Sequence, residues 1–432
     1  MTEELLIIGA GPAGLAVSHR YDRASRILER SGVVGGLCRS VEFGGAVFDI
    51  GGHSFHSPHA DVTEFVVGLM GDNWHAQRRD ARVWFDGAVI PYPFQRHFGL
   101  LPHAEIVAEC QDAWPEADQS IAVASLADWL PARFGDGVSR HFLTPYNRKL
   151  WARDLERISH GWVGERVAGA PTTAGGAPAA RQPLHDDSVV GYPAHGGFGA
   201  IMEALAAQCG PIELGCEVTS IDAKARVATS RDGRRWPYGH LVSTMPLPLL
   251  LRAIEAAPAA LIADADRLEC VSLKILMLLV TGPVGDAPHR LYVADPAMPA
   301  HKIAFNHTSS PDLAARPTHA VMCEIAHSAE KPAAADAVLE RACIEWLAGA
   351  GFIDTPSAVI EARMVDVDYG YPVMTHERPE ILGRIHGYLR GLGVASIGRF
   401  GAWEYVNSDA CLKAGFDLAQ QLNSRPWRAA AE

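Results

Sequence analysis

The stretch from Leu5 to Glu29 confines the fold more tightly than any other part of the chain. Leu5-Leu6-Ile7-Ile8 is an apolar run of strand length, and Gly9-Ala10-Gly11-Pro12-Ala13-Gly14 is a glycine turn. Leu15, Val17 and about Tyr21 then step at helical spacing, and Arg26-Ile27-Leu28-Glu29 reads as a second strand. Strand, turn, helix and strand in so short a span make a βαβ unit, which commits this region to a parallel sheet covered by helices. In that setting Gly9 permits the tight turn, Gly11 lets the backbone approach a pyrophosphate, and Gly14 lets the helix lie close on the sheet. The free N–H groups at the helix start attract the anion. Glu29 falls where a carboxylate accepts hydrogen bonds from a ribose. An ordinary glycine turn is the plain alternative; the flanking strand, helix and acid favour a dinucleotide site.

Composition limits the rest. The chain has 432 residues, 48% hydrophobic and 20% charged, enough for a large core and, at about 150 residues per domain, for two or three domains. The balance of 38 Lys+Arg against 50 Asp+Glu leaves a formal charge of −12 with no basic run, which weighs against general nucleic-acid binding and against adhesion to anionic membranes. Met1-Thr2-Glu3-Glu4 lacks the positive region of a secretory signal, and no run nears the roughly 20 apolar residues of a membrane span, so a cytoplasmic location is expected. The eight cysteines, at positions 38, 110, 209, 216, 270, 323, 343 and 411, form no C-x-x-C pair and suit reduced thiols; no metal is expected.

Residues 100–165 step at helical spacing through Ile106, Val107 and Cys110, then Leu126, Trp129 and Leu130, with Pro131 and Gly135 as interruptions, and predict a helical insert. Residues 168–183 have little to bury and many breakers, and read either as a surface loop or as a lid over a site. A helix from Ala200 to Gln208, strands around Ile212 to Ile221, a hairpin turn at Asp232-Gly233 and a buried strand Leu241-Val242-Ser243-Thr244 suggest a return to the first sheet. Strands at 271–280, 320–326 and 359–367 predict a second sheet.

Directly after the first unit, Gly35-Gly36-Leu37-Cys38-Arg39-Ser40 forms a second glycine turn with an Arg that can reach the same pyrophosphate. This continuation resembles the FAD fingerprint of the flavoprotein amine oxidase superfamily and implies FAD rather than NAD as the tightly bound cofactor. Five further strings resemble UDP-galactopyranose mutase, especially its eukaryotic-type branch: Gly51-Gly52-His53-Ser54-Phe55-His56, Pro91-Tyr92-Pro93-Phe94-Gln95, Pro145-Tyr146-Asn147-Arg148-Lys149-Leu150-Trp151, Trp162-Val163-Gly164-Glu165-Arg166-Val167 and Gly398-Arg399-Phe400-Gly401-Ala402-Trp403-Glu404-Tyr405.

The resemblance implies that reduced flavin attacks the anomeric carbon of a UDP-sugar, expels UDP and forms a flavin N5–sugar adduct whose sugar opens and recloses in the other ring size, with no net redox. It implies catalytic roles for His53 beside the flavin and for Arg166 and Lys302 on the departing diphosphate. Gly9, Gly11, Gly14, Glu29, Gly35, Gly36, Arg39, Gly52, Val218 and Arg399 would hold FAD. Tyr92, Phe94, Gln95, Asn147, Trp151, Tyr292, Tyr371, Tyr405 and Asn407 would line the nucleotide-sugar cavity. Arg79 falls on an Arg that relatives use for NADPH, although Ala81 replaces their Ser. His56 and His59 read as solvated turn residues. The chain departs from the family pattern at Asp186-Asp187, near a sugar-contacting Asn, and at Asn306-His307-Thr308, which puts galactose itself in doubt.

The fold class that follows is α/β: a Rossmann-type FAD-binding domain (1–78, 188–265 and 385–432), a helical substrate or lid domain (96–187), and a mostly antiparallel sheet domain (79–95 and 266–384). The competing function is an amine-oxidase-type flavoenzyme acting on a small anionic substrate; a flavin-binding sensor or assembly protein is a third. The oligomeric state is not legible in the sequence.

Overall fold

The protein is described by a computed structural model covering residues 5–112, 123–163, 188–282 and 284–424. Its first sheet is five-stranded and parallel, in the order Val394–Ser396, His240–Ser243, Leu5–Ile8, Ser25–Leu28, Ile212–Glu213. Leu5–Ile8 is central and buried along its whole length, which is why it reads as an unbroken apolar run rather than an alternating one. The helix Pro12–Arg20 leaves the tip of that strand through Gly9, whose φ of +104° a side-chain-bearing residue rarely adopts. It lies close because a Cβ on Gly14 would stand 2.0 Å from the Gly9 carbonyl oxygen. The helix Ser408–Ser424 packs on the same helix, with Gly415 facing Ala13 and Ala16.

The second sheet has seven strands in the order Val359–Pro372, Cys270–Thr281, Thr318–His327, Lys302–Phe305, Arg290–Val293, Ala81–Phe85, Ala88–Pro91, antiparallel except where Arg290–Val293 runs parallel to Ala81–Phe85. Cys270–Thr281 is paired on both edges and buried on both faces. Its Val271, Leu273, Ile275, Met277 and Leu279 join a core with the helical segment, and Leu276, Leu278 and Val280 join another with the helix Asp336–Gly349. The predicted mostly antiparallel second sheet is therefore present.

The helical segment comprises Ala104–Asp112, Leu126–Val138, a π-turn at Ser139–Leu143 and Thr144–Trp151. Ser125 and Asp128 close a reciprocal capping box at the start of the second helix. Only one of the two expected interruptions breaks the chain's course. Gly135 (φ 79°) kinks the helix, whereas Pro131 lies inside it without a break in the helical backbone. Residues 168–183, the expected loop or lid, lie outside the described residues. Among the described residues no helix is long and apolar enough to cross a membrane, and none of the eight cysteines is in a disulfide.

The helix-on-helix contact gives a direct test. An alanine Cβ at Gly415 would sit 2.5 Å from the Ala16 Cβ and 2.6 Å from the Ala13 carbonyl oxygen. Gly415→Ala should therefore lower the urea midpoint, by about 1–3 kcal/mol of stability, through overpacking. Gly383→Ala, in the helix Arg378–Gly391 with open space around it, should be neutral or stabilising by about 0.4–1 kcal/mol. Equal effects at the two positions would show that the contact is not tight.

Candidate functional site

Between the two sheets lies a cavity of about 1390 Å³. That exceeds the roughly 300–1,000 Å³ usual for one small ligand and leaves room for a dinucleotide and a second molecule. One half of its wall comes from the first sheet. Gly11 is the N-cap of Pro12–Arg20, no side chain caps that helix, and a Cβ built on Gly11 meets nothing within 4 Å. The first-turn N–H groups thus face open space where an anion can approach. At the end of the adjoining strand, Glu29 is oriented by three bonds. Its Oε2 accepts from the Ala10 N–H at 2.8 Å, and its Oε1 from the Ser31 N–H and Oγ at 2.8 and 2.7 Å. Arg39, after the left-handed Gly35 and Gly36, bonds the Gly36 carbonyl at 2.6 Å and faces the same space. These residues fit a bound dinucleotide: an open helix N-terminus for the pyrophosphate and a fixed carboxylate for a ribose.

The other half belongs to the seven-stranded sheet and is organised by Glu324, which is 2% exposed. Its Oε1 accepts from the Gly52 N–H at 2.6 Å and pairs with Lys302 Nζ at 2.9 Å, and its Oε2 accepts from the Tyr371 hydroxyl at 2.9 Å. Burial pushes the Glu324 carboxyl up, but Lys302, His301 and the Gly52 N–H together bring it down to about 2. Beside it, Tyr92 lies 4.6 Å from Tyr292, and Arg79 is stacked on Tyr92 and donates to the Tyr292 hydroxyl at 3.0 Å. Burial pushes the Tyr92 phenol up to about 12 and raises Tyr371 as well, so both stay protonated donors at neutral pH. His53 stacks on Phe198 at 4.8 Å, and its Nδ1 lies 3.2 Å from the Gly51 carbonyl. Because a carbonyl only accepts, Nδ1 carries the proton and Nε2 the lone pair. Burial, then Lys302, hold the His53 ring at about 3, hence neutral.

The cavity thus brings together Gly9, Gly11, Glu29, Gly36, Arg39, Gly52, His53, Tyr92, Val218, Tyr292, Lys302, Tyr371, Arg399, Tyr405 and Asn407. Gly14 and Gly35 shape it from behind. Phe94, Gln95, Asn147 and Trp151 are not on its wall. Phe94 is fully buried against Phe142 at 4.8 Å, Gln95 is buried beside it, Asn147 bonds the Leu143 carbonyl at 2.8 Å, and Trp151 backs Tyr371 and Tyr405 from inside the core. Arg166 and Asp187 lie outside the described residues. His307 packs on His319 at 4.6 Å away from the large cavity, and Asn306 bonds the Val47 carbonyl and Tyr192. His56 is half-buried on the cavity wall, and burial lowers its pKa; it is not the solvated turn residue expected. Glu324 and Arg290 were not anticipated. The available signal was a lone acid inside the apolar strand Ala-Val-Met-Cys-Glu-Ile-Ala, where a carboxylate needs partners.

A family profile described as flavin containing amine oxidoreductase matches residues 18–312. Among solved structures, a reduced UDP-galactopyranose mutase superposes over 99% of this chain and 95% of its own, with a TM-score of 0.89 and 24% identity. Cyclohexylamine oxidase from Brevibacterium oxydans IH-35A covers 98% of both chains with a TM-score of 0.71 at 15% identity. A CLA-producing fatty acid isomerase from P. acnes covers 96% of this chain and 98% of its own, with a TM-score of 0.67 at 16% identity. At these identities the likeness is one of fold.

Two outcomes follow from the buried charges. Lys302→Met strands an ionised carboxylate and should cost about 3–5 kcal/mol, most of it regained in the double variant with Glu324→Gln. If the double variant is no more stable than the single one in urea, the pair is not coupled. Burial, the leading cause at each, holds His53 and His301 at about 3 and His289 and His307 at about 4, below their ordinary 6.5. The unfolded chain therefore takes up protons first as pH falls. The contribution of these four rings should be constant above pH 6.5 and drop below it, by up to about 1.4 kcal/mol per pH unit for each ring, until the folded values are reached. Denaturation curves that coincide at pH 6.5 and pH 4.5 would contradict this.

Proposed function

The chain belongs to the flavin containing amine oxidoreductase family, and from that premise we propose that it interconverts the pyranose and furanose forms of a UDP-sugar or related nucleotide sugar. The observation that carries this reading is the wall facing the dinucleotide half. It presents an ammonium, Lys302, with Tyr92, Tyr292, Tyr405 and Asn407, in one cavity with the cofactor residues, while the Tyr371 hydroxyl is engaged by Glu324. A cation among protonated phenols suits a leaving diphosphate, whose charge they stabilise as it develops.

FAD is the cofactor that the two glycine turns and Glu29 would hold. When bound and reduced, it supplies an electron-rich nitrogen able to displace a nucleotide from an anomeric carbon with no net transfer of electrons. The protein's own contribution is positional. Lys302 is kept extended by Glu324, Tyr92 and Tyr371 stay protonated, and His53 offers a neutral Nε2 acceptor without adding charge. Arg166 is proposed as the second cation on the diphosphate. NADPH is proposed as the reductant on the strength of Arg79, a buried guanidinium on the cavity wall.

The test is to incubate anaerobic, dithionite-reduced protein with a panel of UDP- and dTDP-sugars, including deoxy, amino and pentose forms, and to separate the products. Ring-size conversion without stoichiometric consumption of reductant, absent from the oxidised enzyme, is expected. Turnover of a small anionic substrate by the oxidised enzyme with release of peroxide would replace the mutase reading by the oxidase one.

A further inference from the structure

The segment Gly51-Gly52-His53 runs along the cavity and is pinned at two points. Glu324 takes the Gly52 N–H at 2.6 Å. From the strand Arg290–Val293, two removed from that of Glu324, Arg290 donates Nη2 to the His53 carbonyl and, at 3.5 Å, to Ser54 Oγ, and Nη1 to the His289 carbonyl at 2.5 Å. Arg290 is 4% exposed and reaches the cavity wall, yet all of these acceptors are uncharged. Among the described residues no carboxylate forms an ion pair with it: Asp49, held by Ser40, Tyr192 and the Phe198 N–H, and Glu324, paired with Lys302, act on it only from further away. The glycine at position 52 is shaped to this guanidinium, since a Cβ there would stand 2.4 Å from Arg290 Nε and 2.8 Å from its Cδ.

A buried guanidinium is penalised by desolvation, and bonds to neutral carbonyls leave its charge in place. What restores the balance is a negative group in the cavity, and a flavin becomes more negative on reduction. We propose that Arg290 is a positioning residue for the flavin: it fixes the His53 carbonyl and, as a positive charge with no carboxylate in contact on that wall, favours the reduced state of the cofactor. This rests on the flavin reading of the site and extends it to how the reduction potential is set. Lowered basicity at His53, to which Lys302, Arg290 and Arg399 all contribute after burial, agrees with a positive field there.

The experiment is an anaerobic dithionite titration against a reference dye, without nucleotide sugar, of FAD-loaded wild type, Arg290→Lys, Arg290→Gln and Gly52→Ala. Arg290→Gln should make reduction harder by about tenfold, about 30 mV for a two-electron couple, with Arg290→Lys within about threefold of wild type. Gly52→Ala keeps the charge but pushes the guanidinium off its site, and should shift the potential in the same direction. Arg290→Gln that binds FAD at the wild-type potential overturns the proposal. If that variant does not fold, an unchanged potential in Gly52→Ala overturns it instead. Wild-type protein that takes up no flavin removes the cofactor reading and this proposal together, whereas the expected shifts without any sugar conversion leave the proposal standing and remove only the mutase.

Discussion

Glu324 is the constraint on which the cavity depends. It is an ionised carboxylate in the interior of a seven-stranded sheet, and its oxygens bind a backbone N–H of the Gly51–His53 segment, an ammonium on the adjoining strand and a phenol on a third. Two of these partners cross the gap between sheets or strands that are distant in sequence. A buried charge tolerates no vacancy among its donors, so the elements that supply them are held at hydrogen-bond distance. The cavity's dimensions follow from a polar requirement set inside an otherwise apolar sheet.

What could be read from the chain, and what could not, divides along the range of the interactions involved. The opening unit was legible because its logic is local: the turn, the helix start and Glu29 lie within one short span and each restricts the next. The strands of the second sheet were legible for the same reason, as apolar runs. The pairing of Glu324 with Gly52 joins residues 272 positions apart, and no periodicity carries that information. Phe94 and Trp151 illustrate a second limit, since an aromatic ring fills core and lines a cavity with the same composition, and only the packing around it decides. Pro131 illustrates a third, because a proline marks a local cost to a helix, and whether the surrounding packing carries the helix through it is not written in the local sequence.

The same scaffold carries an amine oxidase, a fatty acid isomerase and a sugar mutase, so the architecture leaves the chemistry open and the wall of the cavity has to decide it. Here that wall carries two kinds of chemistry. The first-sheet side offers backbone N–H groups and one carboxylate, which suit a cofactor held for the life of the enzyme. The second-sheet side offers phenols and a tethered ammonium, which suit the proposed diphosphate. Tethering matters for release: an ammonium already paired with a carboxylate returns to that partner when the anion leaves.

The order of strands in the first sheet has a consequence for how the protein is made. Its central strand is the first in the chain, yet one edge is Val394–Ser396, and the helix that covers the first turn-helix is Ser408–Ser424. A ribosome extending the chain at about 5–20 residues per second delivers those pieces roughly twenty seconds to more than a minute after the opening unit has emerged. During that interval the nascent chain carries an apolar strand edge and an uncovered helix face. A ligand for that half therefore cannot be fully gripped until the helix Ser408–Ser424 has emerged.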